Sequence, residues 1–99
     1  MGVMRELYEL MEEELDGAKH YAKLAVHKKC NYPIMAKMFY EMSLDEMTHA
    51  TKLHDQIERE ITASDEEGSE SMISVYDFLH EQMVDKMAKI REYQAMYRD

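Results

Sequence analysis

A chain of 99 residues with one proline and three glycines has few places to reverse direction. Two stretches stand out. The first is KCNYPIM, residues 29–35, where Pro33 suits the opening position of a helix because its missing N–H costs nothing there. The second is TASDEEGSES, residues 62–71, which is polar, contains Gly68 and offers several serine caps. The remaining segments lack helix breakers and predict three helices, over about 4–29, 33–61 and 71–97, within a single domain spanning 1–99. At about 1.5 Å of rise per residue each helix is roughly 40 Å long, which suits a bundle better than a compact globule. The short first connection predicts an antiparallel hairpin, with the third helix added to it. The expected fold class is all-α.

Charge narrows the partners. The formal net charge of −9 argues against nucleic acid, which requires an excess of Lys and Arg. Part of the acidity is concentrated in Glu6, Glu9, Glu12, Glu13, Glu14 and Asp16, a run that reads either as a solvated helix face or as a cation-attracting one. Cys30 is the one cysteine, so no intrachain disulfide can form; beside a turn it is expected to be a small buried residue. No apolar run approaches the roughly 20 residues of a membrane span, and the N-terminus carries no basic-then-apolar leader, so a cytoplasmic setting without membrane partners is expected.

The faces of the helices carry the functional signal. The third helix shows an apolar stripe of Met72, Tyr76, Leu79, Met83, Met87, Ile90, Gln94 and Tyr97, with one polar intrusion. The same spacing on the second helix runs Met35, Met38, Met42, Glu46, His49, Leu53, Ile57, and on the first Leu7, Leu10, Glu14, Ala18, Tyr21, Ala25. Ionisable residues therefore interrupt two stripes near mid-helix, and they are expected to point inward. A buried carboxylate without a partner costs several kcal/mol or protonates, so Glu14, Glu46 and His49 need a common neutralising partner. A metal ion meets that need, and oxygen plus imidazole donors suit iron or manganese and tolerate zinc. If the turn centres on Cys30, Glu14 lies 16 residues before it and Glu46 16 after, at equal height in the hairpin.

One hairpin supplies three ligands, whereas a di-metal site in a four-helix bundle uses twice that set. The third helix has no Glu-x-x-His, so two chains are expected to pair about a two-fold axis, completing both the bundle and the site.

At these residues the chain resembles the ferritin-like superfamily. ELDGAKHY (Glu14 to Tyr21) is similar to the first-helix Glu-x6-Tyr pattern, and EMTH (Glu46 to His49) to the second-helix Glu-x-x-His, over Met4 to Ile61. The separation of Glu14 from Glu46 is similar to that in rubrerythrins. The second helix pair of full-length members is absent, as is a paired-cysteine rubredoxin-type site. What remains is most similar to the encapsulated ferritins, whose half-length chains dimerise around a ferroxidase centre, form rings and occupy an encapsulin shell. The resemblance implies Glu14, Glu46 and His49 as catalytic iron ligands, with Glu46 bridging. It offers Tyr21 as a hydroxyl supporting the site, against the alternative of a core aromatic. It offers Asp45 as the group orienting the imidazole, and Glu13 as part of an entry site, against a solvated position.

The implied function is a di-iron ferroxidase that oxidises Fe(II) for storage or detoxification as a homodimer or ring-like homo-oligomer, with an encapsulin nanocompartment as a further partner. Two readings compete: a rubrerythrin-like peroxide reductase using an external electron donor, and a metal-free helical interaction module whose 11 methionines form adaptable contacts.

Overall fold

The computed structural model describes residues 2–64 and 70–99, with side chains at 2–63 and 76–99. The protein is all-α: α1 (Val3–Lys28), α2 (Pro33–Ser64) and α3 (Glu70–Arg98), with no strand among the described residues. The serine caps expected around Ser69 and Ser71 lie outside the described side chains. Glu6 stands in the first turn of α1, and His27 and Lys28 in its last, each matching the sign the helix dipole prefers.

The reversal between α1 and α2 is tight. The Tyr32 amide donates to the Lys28 carbonyl at 2.8 Å, and the Tyr32 carbonyl accepts from Ala36 at 2.8 Å. Tyr32 thus closes one helix and opens the next, with Pro33 at the first position of α2. Cys30 is exposed in this turn, not buried as expected, because the chain passes outside the helix interface there.

The α1–α2 interface is lined by small residues. Ala18, Ala22 and Ala25 of α1, and Ala36, Ser43 and Ala50 of α2, are all fully buried. Away from the turn the interior widens to take Met11, Leu15, Met47 and Ile57, joined by Met83 and Ile90 from α3. The three-helix unit is a rod of 55 × 18 × 17 Å, as expected when α2 alone contributes about 48 Å of helix. α3 runs parallel to α1 and packs mainly on it, meeting α2 through long side chains: Tyr97 stacks on Tyr40 at 4.6 Å, and Arg98 donates to the Tyr40 hydroxyl at 2.9 Å.

One buried polar chain ties all three helices. Ser43 donates to the Ala18 carbonyl at 2.7 Å and accepts from the Gln94 amide nitrogen at 2.9 Å. Ser43 is 0% and Gln94 4% exposed, so water competes for neither bond. By comparison, Lys86 sits 3.9 Å from both Glu12 and Asp16 on the surface, where such pairs contribute about 0–1 kcal/mol. The buried chain therefore carries most of the polar specificity between the helices. Gln94, the polar intrusion on the α3 stripe, exists to reach Ser43.

Ser43→Ala strands the buried Gln94 amide and is expected to lower stability by about 1–3 kcal/mol. Replacing both partners in Ser43→Ala with Gln94→Leu is expected to cost less than the two single changes added together. Urea denaturation of the four proteins of the double-mutant cycle measures the difference.

Candidate metal centre

Glu14, Glu46 and His49 converge. One ligand atom from each lies within 4.8 Å of the other two. The hairpin register produces this: Ala18 faces Ser43, Tyr21 faces Phe39, and Glu14 stands level with Glu46, all about a turn centred near position 30. Glu46 and His49 are three residues apart on α2, so both side chains leave the same face. His49 Nδ1 lies 3.4 Å from Glu14 Oε2 across the interface.

Gly17, which the stripe analysis passed over, makes room for this. A Cβ at that position would lie 3.2 Å from Glu46 Oε2. A glycine inside a helical segment marks a place where another group comes close, and ELDGAKHY carries that signal between the two residues of interest.

The electrostatics are those of a site short of positive charge. The Glu46 carboxyl is held above its ordinary 4.5, first because its protonated form hydrogen-bonds to Glu14, then by burial and by the negative charge of Glu14, with His49 opposing and Asp45 adding to the rise. A cation among these donors would offset the negative charge that raises Glu46. An ion with bonds of about 2.0–2.2 Å holds its donors roughly 3–4.4 Å apart, so these three need small side-chain movements to meet it. The residues present fit a metal ion: two hard oxygens and one imidazole nitrogen.

The predicted stripes point into the single chain's core only in part: Ala18, Ala25 and Ile57 are fully buried, but the stretch of α2 from Met35 to His49 is turned partly outward. The buried face of α2 is Ala36, Ser43, Met47, Ala50 and Ile57, about one position round from the predicted stripe. Met35 and Met38 are 42% and 47% exposed, and the His49 side chain 52%, with Glu14 at 29%. On α1, Leu10 is likewise 43% exposed. The ligands therefore lie on a half-covered face of the hairpin, away from α3, because α3 packs on the other side of α1. Tyr21 stacks on Phe39 with ring centroids 6.1 Å apart, two helical turns from Glu14. Asp45 and Glu13 are exposed positions beside the ligands; Asp45 acts on Glu46 through its charge.

No protein-family model matches this chain, no curated protein matches it, and no solved structure matches it.

Two outcomes follow from this geometry. Because folding raises the Glu46 value, the proton stabilises the metal-free protein fully below 4.5, and that contribution disappears as pH rises through the folded-state value. Glu46→Gln removes the ionisation, so in chelator its urea midpoint is expected to exceed the parent's by an amount that grows as pH rises above 4.5. Gly17→Ala is expected to gain about 0.5–1 kcal/mol of helix stability while displacing the Glu46 carboxylate. Its affinity for divalent ions should fall by about tenfold, read by calorimetric titration beside thermal melts.

Proposed function

We propose that the protein is a ferroxidase whose di-iron site forms between two chains, each contributing Glu14, Glu46 and His49. The observation that carries this reading is the convergence of those three donors on one face of the hairpin. The partly uncovered face around them supports the pairing. Leu10 one turn before Glu14, and Met35 and Met38 two to three turns from Glu46 towards the hairpin turn, leave apolar surface exposed, and a second copy turned through a two-fold axis would cover it while bringing a second ligand set.

Iron is the substrate: two Fe(II) ions each give up one electron, together reducing dioxygen to peroxide or peroxide to water. The chain's own residues set the conditions. The negative charge of Glu14 and Glu46 favours the Fe(III) product. His49, held 3.4 Å from Glu14, supplies the softer donor. Glu46, between Glu14 and His49, is placed to bridge. A 99-residue chain cannot itself enclose mineral, so storage belongs to a larger ring or a surrounding shell.

Anaerobic Fe(II) loading with light scattering on a sizing column tests the reading. One iron per chain in metal-dependent dimers or rings is expected, with oxygen consumption on exposure to air, and Glu46→Ala is expected to abolish uptake and oxidation. An assembled protein that binds no iron overturns the proposal and favours a helical interaction module. A monomer binding two ions overturns the shared site.

A further inference from the structure

The two ends of the rod differ in charge. Residues 17–40 run from mid-α1 through the hairpin turn into α2, and they hold five lysines and no acid in a chain that has 21 acids. The end of α3 lies beside them: Lys29 Nζ donates to the Met96 carbonyl at 3.5 Å, and Arg98 stands 5.9 Å over the Tyr40 ring. Glu41, Glu92 and Asp99 are the acids toward this end. Helix dipoles do not explain the pattern. They favour bases where α1 and α3 stop, but α2 starts here, and its N-terminus favours acids, of which the first turn has none.

Apolar surface crowns the same end. Ile34 is 88% exposed, more than any other large hydrophobic side chain among the described residues, and Tyr32 is 54% exposed. Together with Pro33, Met35 and Met38 they line one apolar hollow at the turn. Ile34 sits about 120° round α2 from Glu46, so it stands off the face that carries the metal ligands. Bases border it directly. The Lys28 ammonium lies 5.4 Å over the Tyr32 ring, and Lys37, one turn on from Ile34, is exposed.

We propose that this tip docks end-on onto an anionic lipid surface, with Ile34 and Tyr32 entering the interface and Lys28, Lys29 and Lys37 meeting the headgroups. Area argues against a folded protein partner. The rod is 18 × 17 Å across its end, a cross-section of about 300 Å², whereas each side of a stable protein interface buries about 800 Å². A nucleic acid would engage the lysines and leave Ile34 in water, because its phosphates reward charge. A lipid interface rewards both at once. Apolar side chains pass the headgroups, lysine stems lie along them, and the ammonium groups stay among the phosphates. No helix among the described residues is long and apolar enough to cross a membrane, and contact through a tip needs none.

Vesicle flotation of the full chain tests this. The chain is expected to float with phosphatidylcholine vesicles containing phosphatidylserine, to stay behind with phosphatidylcholine alone, and to detach as salt is raised. Replacing Lys28, Lys29 or Lys37 by Gln is expected to weaken binding about fivefold for each lysine removed. Ile34→Ser should weaken it by about tenfold, and Lys52→Gln with Arg59→Gln, toward the other end, should leave it unchanged. Circular dichroism checks that each variant folds. The chain has no tryptophan, so Ile34→Trp gives a single reporter, whose emission is expected to shift to the blue on the anionic vesicles. Absence of binding, equal binding to neutral vesicles, indifference to the three lysines or an unmoved emission overturns the proposal. Equally tight capture by polyglutamate, with the same dependence on residues, also overturns it and assigns the tip to an acidic polypeptide.

Discussion

The close approach of α1 and α2 through small side chains is the constraint on which the rest of the molecule depends. Ala18, Ala22 and Ala25 against Ala36, Ser43 and Ala50 leave little between the two backbones, and the Ser43 hydroxyl locks the register by donating to the Ala18 carbonyl. Close helices bring short side chains within reach of one another. That is why Glu46 comes so near α1 that a Cβ at position 17 would lie 3.2 Å from its carboxylate. Slide one helix by a turn, roughly 5.4 Å, and the Glu14–Glu46 pair is lost along with the serine bond.

A fold so narrow has no sheltered interior in which to hide charge, and its titratable groups collect on two faces. On the face away from α3, two carboxylates and an imidazole converge on a half-exposed surface. On the face toward α3, two imidazoles and a carboxylate bridge a gap too wide for backbones to close. Both clusters do work that a larger protein would assign to its hydrophobic core. The first leaves its donors half open on the surface of the hairpin, and the second sets side chains of α2 against side chains of α3. The surface ion pairs of Arg5, Glu9 and Lys86 add little to this, since exposed charges are already well solvated.

Much of this was legible in the residues. Scarcity of turn formers implied three long helices, Pro33 implied where the second begins, and equal spacing from Cys30 implied that Glu14 and Glu46 stand level. The α3 stripe was readable down to Gln94, whose burial follows from its reach to Ser43. On α2 the pattern misled. Methionines at 35, 38 and 42 form as good a stripe as Ala36, Ser43, Met47 and Ala50, and only the latter is buried. Periodicity marks a face as apolar without saying which of two apolar faces meets its own chain. Cys30 was misjudged because its exposure at the turn depends on how the chain leaves the helix interface.

By itself the sequence determined the all-α class, the hairpin, and the level at which two glutamates and a histidine assemble, because these are local properties: propensity, a proline, and counting along two antiparallel helices. Tertiary structure decided which face is covered. α3 settles on α1, leaving the Glu14, Glu46 and His49 face half open and bringing His80 against His54. That choice is made by complementary packing of Met11, Leu15, Met83 and Ile90 and by one buried amide-to-hydroxyl bond, interactions between residues far apart in the chain.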